Sequence, residues 1–292
     1  MMKPTVGGRV FDTANVILLL LLMFATLYPF WYVLVASVGD PVWVTQQRGL
    51  IWFPTGFNIE AYKAVFANPT IRSGYLNTLF IVIVGTTLNI IMTSFTAYAL
   101  SRSNVMLKTP LMFLIVFSMF FSGGLVPTYL LVTGLGLLDS IWALILPAAM
   151  STFNFIIMRT AFQAIPVSLE ESAKLDGAND FTVLFRIVLP LSLPVVAVMI
   201  LFYGVSHWNS WFSAVIYIRS RELYPLQLIM REILVNNNTE QMLTGITANN
   251  KASVGATIKY ATIIVASGPI ILLYPFLQKY FVKGVMIGAI KE

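Results

Sequence analysis

The sequence contains no cysteine, which excludes disulfide bonds and thiol chemistry. Charged residues are also scarce: they make up 10% of the 292 residues, whereas soluble domains contain about 25%. Hydrophobic residues account for 58% of the chain. This composition indicates an integral membrane protein.

Several motifs that mark enzymes are missing from the sequence. The chain has no G-x-x-x-x-G-K-[ST] phosphate-binding loop, so the sequence gives no signal for ATP hydrolysis by this chain itself. It also lacks H-E-x-x-H and G-x-S-x-G, and its apolar windows carry no carboxylate for proton or sodium coupling. These absences argue against a membrane-embedded enzyme. They also argue against a secondary transporter, which usually shows an internal repeat as well.

Six windows of the sequence contain no Asp, Glu, Lys or Arg, and each approaches or exceeds the roughly 20 residues of a membrane-crossing helix. Continuous apolar runs favour helices over the alternating strands of a barrel. The sequence therefore predicts an all-α integral membrane protein with six transmembrane helices. The first window exceeds the usual signal-peptide core of about 7–15 residues, so a retained helix is favoured over a cleaved signal. The windows are Thr13–Gly39, Ser73–Ser101, Thr109–Leu138, Ser140–Met158, Ile187–Ile218 and Tyr260–Gln278.

The distribution of Lys and Arg predicts that both termini are cytoplasmic, because basic residues accumulate in cytoplasmic loops. This positive charge beside membrane spans explains the net charge of +6 better than binding to nucleic acid. Two longer outer loops are expected to contain a short interfacial helix, an amphipathic helix over Leu226–Leu234 and a turn at Asn236–Asn238. Ten of the 18 basic residues then fall in short inner segments: Lys3, Arg9, Arg102, Lys108, Arg159, Lys174, Arg186, Lys279, Lys283 and Lys291.

The segment "PVSLEESAKLDGANDFTVLFRIVLP" is unusually acidic for its place between the fourth and fifth windows. Ser168 and Glu171 have the spacing of a capping box, which predicts a helix capped at Ser168. Gly177 tolerates a positive φ and is expected to end that helix. Asn179 or Asp180 is expected to cap a second helix that continues into the fifth span. This cytoplasmic helix–turn–helix loop is predicted to dock a soluble partner.

The same segment resembles the EAA loop of permease subunits in ABC importers, a pattern of E-A-A, three residues, Gly, nine residues and I-x-L-P. Ser172 replaces the first alanine, which is a small-for-small change. Other stretches, such as "LNTLFIVIVGTTLNIIMTSFTAYALSR" and "QKYFVKGVMIGAIK", resemble the maltose-permease-like inner subunits of the carbohydrate-uptake branch. The positions that match the EAA pattern are Glu171, Ala173, Gly177, Ile187, Leu189 and Pro190.

The resemblance implies a type I ABC importer permease with a cytoplasmic EAA coupling helix. It implies a second permease subunit, expected to be a different chain, and an extracytoplasmic solute-binding protein. Two ATPase subunits would hold the ATP and Mg²⁺, so this chain would need no cofactor. Glu171 would pair with a basic residue of the ATPase rather than only cap its own helix, and Glu170, outside the pattern, is expected to tolerate loss of its charge. The ATPase-coupling residues implied are Glu171, Ser172, Ala173, Asp176 and Gly177.

The stretch "FSGGLVPTYLL" further resembles a sub-branch that imports longer oligosaccharides, including uronate-rich fragments of alginate or pectin. The expected cargo is therefore a uronate-containing oligosaccharide that crosses the cytoplasmic (inner) membrane. A smaller neutral sugar or polyol is the alternative cargo, and a secondary transporter is a more distant alternative function.

Three residues near the outer end of the fifth span are candidates for a substrate path, because flat aromatic rings stack on sugar faces: Trp208, Asn209 and Trp211. An interfacial aromatic belt is the alternative, and the neighbouring His207 lacks further metal ligands. Three asparagines within spans are expected to form interhelical hydrogen bonds rather than to contact sugar: Asn77, Asn89 and Asn154.

The predicted organisation has three parts. Residues 1–71 form an N-terminal segment, the first transmembrane helix and an outer loop. Residues 72–282 form a five-helix permease core that includes the coupling loop 166–186. Residues 283–292 form a cytoplasmic tail.

Overall fold

The computed structural model describes residues 6–103, 105–235 and 251–289, and every regular element in these ranges is helical. The turn predicted at 236–238 lies outside the described residues. In chain order the helices are α1 (Val6–Val38), α2 (Pro41–Gln46), α3 (Glu60–Ala67), α4 (Pro69–Ser101), α5 (Lys108–Phe120), α6 (Leu125–Gly134), α7 (Trp142–Ile145), α8 (Thr152–Gln163), α9 (Val167–Leu175), α10 (Asp180–Val183), α11 (Leu189–Leu191), α12 (Leu193–Trp208), α13 (Phe212–Tyr217), α14 (Leu226–Val235) and α15 (Lys251–Ala289).

Three of these helices, α1, α4 and α15, contain straight segments long and apolar enough to cross a membrane. Three further candidate spans are pairs of helices that meet at a bend: α5 with α6 at 115°, α7 with α8 at 50°, and α10–α11 with α12 at 87°. Counting each pair as one span gives up to six spans, in agreement with the six apolar windows. The short α3 and the amphipathic α14 confirm the helices predicted in the outer loops.

The bends have local causes in the sequence. In "FSGG" the helix stops at Phe120 and restarts at Leu125, which separates α5 from α6. The helix after Asn179 continues into the fifth candidate span, as predicted, but this span is bent. A π-helical turn at Leu184–Val188 precedes α11, and the chain turns at Ser192, which lies between Pro190 and Pro194. Proline removes a backbone donor and crowds the preceding turn, so two prolines around one residue favour a sharp bend there.

The chain separates into two compact units. The first comprises the described residues of Met1–Pro69 and Glu232–Gly268. In it, the segment after α2 is attached to α1 by two hydrogen bonds: Trp31 Nε1 donates to the carbonyl oxygen of Trp52 at 2.8 Å, and the amide of Ile51 donates to Tyr28 Oη at 2.9 Å. Each bond joins an aromatic side chain of α1 to a backbone group of the loop. Outside a helix or sheet, backbone groups need such partners to satisfy their hydrogen bonds.

The second unit comprises Thr70–Arg231 with the described residues of Pro269–Glu292, and α4 is its central helix. Small and polar residues recur on the buried face of α4 at helical spacing. They allow neighbouring helices to approach closely and to exchange hydrogen bonds, as is usual in membrane bundles. The stripe contains Gly74, Thr78, Gly85, Asn89, Thr93 and Ala97.

Hydrogen bonds from this stripe connect α4 to the rest of the unit. Asn89 Nδ2 donates to the carbonyl oxygen of Ala148 at 2.5 Å, and Asn89 Oδ1 lies 2.6 Å from His207 Nε2. Thr93 Oγ1 and Tyr203 Oη are 2.7 Å apart. Asn77 Nδ2 donates to the carbonyl oxygen of Glu222 at 2.7 Å. The predicted bonding between elements is therefore confirmed for Asn77 and Asn89.

Asp139 joins two loops of the same unit. Its Oδ1 accepts the amides of Arg219 and Ser220, each at 2.8 Å, and its Oδ2 accepts the hydroxyl of Ser220 at 2.6 Å. These bonds from Ser220 and Arg219 hold the pKa of the Asp139 carboxyl below its usual range. The carboxylate is therefore in its bonded, ionised form at neutral pH, and it fixes the loop after α13 to the start of α7.

We predict that Gly85→Ala destabilises the protein, because a Cβ at this position would lie 2.6 Å from His207 Nε2 and 2.8 Å from its Cε1. Overpacking of this kind typically costs about 1–3 kcal/mol. The matched control is Gly204→Ala, where the nearest atom to a new Cβ is Thr86 Oγ1 at 3.8 Å. The control should melt at or slightly above the wild-type temperature, since alanine is the better helix former. Thermal unfolding of the purified protein measures both, and a Gly85→Ala protein as stable as the control would contradict the assigned packing.

Candidate functional site

The acidic loop begins with helix α9, which starts two residues earlier than predicted. Pro166 occupies the N-cap position without a side-chain hydrogen bond, and Ser168 lies within the first turn. The predicted capping box between Ser168 and Glu171 is therefore wrong. Proline serves here because its fixed φ and absent N–H suit the start of a helix. Glu171 is thus exposed without a capping role.

The end of α9 is a Schellman motif, as Gly177 predicted. The amide of Ala178 donates to the carbonyl of Ala173 at 2.9 Å, and the amide of Gly177 donates to that of Lys174 at 3.0 Å. Gly177 has a φ of +83°, a conformation that favours glycine. Asn179 then caps α10 through its Oδ1, which accepts the amide of Thr182 at 2.8 Å. The turn between the helices is therefore fixed by backbone geometry.

One face of α9 is exposed and mixes apolar residues with acid. Val167, Glu171 and Leu175 follow each other at i, i+4 and i+8, so they lie in one row on the helix surface. Val167 is 60% exposed and Leu175 is 89% exposed. An acidic group between two exposed aliphatic side chains, on a loop outside the apolar windows, is suited to docking against a protein surface with a basic group.

The opposite side of α9 carries a buried ion pair. The Glu170 side chain is only 6% exposed, and its Oε1 contacts Nη1 of Arg102, whose side chain is 18% exposed. The expectation that Glu170 is a tolerant position is therefore wrong. The EAA pattern does not include Glu170. One signal in the sequence could have indicated this pair. Arg102 directly follows the second apolar window, and the acidic loop offers a carboxylate that could neutralise its charge.

Arg102 is also the point where three helices meet. Its Nη2 donates to the carbonyl of Phe162 at the end of α8 at 3.3 Å, and its guanidinium lies 4.9 Å from the ring centroid of Tyr98 on α4. Burial lowers the pKa of Arg102 from its ordinary value, against the opposing effects of Tyr98 and Asp180, yet arginine stays protonated at physiological pH. Nearby, Arg159 Nε donates to the carbonyl of Leu100 at 2.9 Å. Cations thus satisfy carbonyls at the C-terminal ends of α4 and α8.

The structure places most of the predicted coupling residues together on the outside of this loop. Ala173 is partly buried and packs against the core of the second unit. Lys174 and Asp180 form an ion pair at 2.9 Å, but with exposures of 53% and 67% it contributes little. The exposed members are Glu171, Ser172, Asp176 and Gly177.

The three residues proposed for the substrate path lie in different environments. Trp208 is 6% exposed, and its ring centroid is 6.1 Å from that of Tyr75. Asn209 is exposed, and Trp211 is 37% exposed with the guanidinium of Arg231 4.7 Å above its ring. They do not share one surface, and their contact with sugar stays a prediction.

The helical fold and the acidic loop are those of an ABC-transporter permease, and comparisons with known proteins agree. Residues 90–287 match the family described as "Binding-protein-dependent transport system inner membrane component". A solved bacterial ABC transporter involved in the import of the acidic polysaccharide alginate contains a chain with the same fold. That chain aligns with a TM-score of 0.91 and 32% identity over 96% of this chain and 100% of its own length.

Two curated relatives from Bacillus subtilis (strain 168) extend the likeness over nearly the whole chain. The polygalacturonan/rhamnogalacturonan transport system permease protein YtcP is 42% identical over 284 residues, which is 97% of this chain and 99% of YtcP. Protein LplC is 42% identical over 290 residues, or 99% of this chain and 98% of LplC. The chain belongs to the binding-protein-dependent transport inner membrane component family, and within it is a carbohydrate-uptake permease with the MetI-like fold.

We predict that Glu170→Gln destabilises the docking of α9, because it leaves the Arg102 guanidinium buried without its counter-charge. Breaking a fully buried pair costs about 3–5 kcal/mol, and the cost here is lower because Arg102 keeps 18% exposure. The matched control is Glu171→Gln on the neighbouring, exposed carboxylate, which should change stability by less than about 0.5 kcal/mol.

Thermal unfolding and limited proteolysis of the loop measure this difference. A double-mutant cycle with Arg102→Gln isolates the pair, and the double variant should lose less than the sum of the single losses. Equal stability and equal protease resistance of Glu170→Gln and Glu171→Gln would contradict the ion pair.

Proposed function

We propose that this permease forms one half of a membrane pathway that is driven by ATP hydrolysis on separate subunits. The observation that carries the proposal is the two-sided helix α9. Its outer row offers Glu171 between exposed Val167 and Leu175, and its inner side is bonded through Glu170 to Arg102. A helix with one face free to dock and the other tied to the membrane helices is suited to passing a movement between them.

In this proposal the coupling helix lies in a cleft of one ATPase subunit. Glu171 pairs with a basic residue there, and Ser172 and Asp176 contribute polar surface beside it. Ala173 lets α9 pack closely on the core, and Gly177 provides the turn that fixes the angle of the helix. ATP and Mg²⁺ bind to the ATPase subunits, and this chain supplies no cofactor site and no catalytic group.

The complete assembly would contain a second permease subunit, two ATPase subunits and an extracytoplasmic solute-binding protein, located in the cytoplasmic membrane. The family description, which names binding-protein-dependent transport and an inner membrane component, supports this composition. The excess of Lys and Arg in short inner segments supports cytoplasmic termini.

The cargo in this proposal is an oligosaccharide that contains uronate units, such as a fragment of pectin or alginate. Support comes from the names of the similar proteins, a polygalacturonan/rhamnogalacturonan permease and an importer of acidic alginate. A smaller neutral sugar remains the alternative cargo, since other similar permeases are named for arabinooligosaccharides, lactose and maltodextrin.

The coupling role of Glu171 predicts that Glu171→Gln and Glu171→Ala have the same effect, because the helix does not depend on this residue for its cap. Both should leave the fold intact and weaken the bond to the ATPase, where truncating one partner of a buried charge pair costs about 2–5 kcal/mol. Retention of the ATPase subunits on the purified permease and sugar-dependent ATP hydrolysis are the measurements. Ser168→Ala, on the same helix but outside the pattern, is the control. Normal retention and normal hydrolysis with both Glu171 variants would reject the coupling role.

The proposed cargo is tested with the reconstituted transporter and its binding protein. An oligogalacturonate should stimulate ATP hydrolysis more strongly than a maltodextrin of the same length, since the two differ chiefly in their carboxylates. Stimulation by the maltodextrin alone would reject the uronate assignment but keep the importer. No stimulation by either sugar would reject oligosaccharide transport.

A further inference from the structure

A cavity of about 500 Å³ opens in the second unit, bordered by residues of α7, α8, α12 and α13. Its volume is within the range of about 300–1,000 Å³ that small-ligand pockets occupy. Among the described residues that line it, none is Asp, Glu, Lys or Arg. The described lining mixes apolar side chains, two phenyl rings among them, with hydroxyl groups, an amide and an imidazole.

Two ring side chains of the cavity wall are held in place from behind. Tyr203 Oη bonds Thr93 Oγ1 at 2.7 Å and accepts the amide of Ser151 at 3.1 Å. His207 Nε2 lies 2.6 Å from Asn89 Oδ1. The rings therefore keep one orientation, and the wall is preorganised rather than collapsed.

Other polar groups of the wall have no such support. Asn154 is 6% exposed and lines the cavity, yet its side-chain amide makes no hydrogen bond with any described residue. The same holds for the hydroxyls of Ser206, Ser210 and Ser213 within the described part of the chain. Polar groups on a cavity wall that form no bond within the described part of the protein can bond water or a ligand in the cavity. The predicted bonding between helices is confirmed for Asn77 and Asn89, and for Asn154 it stays a prediction.

The unsatisfied groups lie beside two flat apolar surfaces. Phe202 and Ser206 follow each other at i and i+4 on α12, so they lie on one face of the helix. Ser210 lies in the turn after α12, and all three residues line the cavity. Phe153, which is 53% exposed, lines the cavity from α8. Aromatic rings next to groups that both donate and accept hydrogen bonds match a pyranose ring, which has apolar faces and a rim of hydroxyls.

We propose that this cavity is a cargo-binding site of the permease itself, in which Asn154, Ser206 and Ser210 bond sugar hydroxyls against the faces of Phe153 and Phe202. The inference rests on the proposed oligosaccharide transport. Because none of the described lining residues carries a fixed positive charge, the site recognises hydroxyls and ring faces and does not select for carboxylates. Acidic and neutral oligosaccharides of the same length therefore bind in it similarly once they have been delivered.

The experiment uses the absence of cysteine from the chain, which makes a single introduced thiol specific. Ser206→Cys places a near-isosteric thiol in the cavity, and Arg219→Cys places one on an exposed outer loop outside it. Each variant transporter is purified with cysteine-free partner subunits in detergent, where both sides are open to solution. Each is then treated with a small methanethiosulfonate reagent, with and without oligogalacturonate or maltodextrin.

At about ten times the Kd of a bound sugar, labelling of Ser206→Cys should slow about tenfold, because only the empty fraction reacts. Labelling of Arg219→Cys should not change.

A second variant separates binding from structure. Asn154→Leu keeps the approximate shape of the side chain and removes its amide. In the Ser206→Cys background it should reduce the sugar affinity by up to about tenfold, the effect of one lost hydrogen bond, while the melting temperature stays unchanged. Asn89→Leu is the contrast, since it loses bonds to Ala148 and His207 and should melt at a lower temperature.

The outcomes distinguish the two proposals. Slower labelling of Ser206→Cys alone, reversed by Asn154→Leu, supports the cavity as the site. Unchanged labelling with a sugar that stimulates ATP hydrolysis in the complete transporter overturns the cavity and leaves the importer standing. Protection by oligogalacturonate but not by maltodextrin overturns the claim that the site ignores charge. A sugar that slows both thiols equally indicates a general closure and also overturns the site. If neither sugar stimulates hydrolysis or protects the thiol, the proposed function fails and the cavity proposal fails with it.

Discussion

The buried ion pair between Arg102 and Glu170 is the contact on which the arrangement of the acidic loop depends. A single guanidinium contacts the carboxylate of Glu170 on α9, the carbonyl of Phe162 near the end of α8 and the ring of Tyr98 on α4. Buried pairs of this kind add little to net stability, because desolvation offsets most of the attraction. Their effect is geometric: separating the charges in a region of low dielectric is costly, so α9 and the ends of α4 and α8 tend to move as one body.

The adjacent residues Glu170 and Glu171 of α9 lie in different environments. Successive residues of an α-helix point about 100° apart, so Glu170 and Glu171 face different surroundings although they are chemically identical. Glu170 faces Arg102 and fixes the helix to its own subunit, while Glu171 remains exposed between Val167 and Leu175. Since the helix has no side-chain cap at its start, neither carboxylate is required for local helix formation.

Much of this could be predicted from sequence because the signals are local. The spans follow from windows without charge, and the turn at Gly177 and the cap at Asn179 follow from the conformational preferences of those residues. Which glutamate is buried depends on the phase of α9 and on Arg102, which lies 68 positions away in the sequence. The role of Phe202, Ser206 and Ser210 at the cavity could not be predicted either, because serine is also compatible with plain helix packing in a membrane.

Charge is distributed in this chain according to function. The basic residues concentrate in loops and helix ends, the loop that contains α9 is acidic, and no described residue that lines the cavity is Asp, Glu, Lys or Arg. A pathway must bind its cargo strongly enough to admit it and weakly enough to release it. An arginine in the wall would bond a uronate carboxylate in a bidentate, charge-assisted way, which in a low-dielectric site holds the cargo tightly and slows its exit. Hydroxyl and amide groups form weaker, exchangeable bonds with every unit of a sugar chain. An uncharged wall therefore suits passage of an acidic oligosaccharide better than a basic one would, provided that selection for charge takes place before the sugar reaches the membrane.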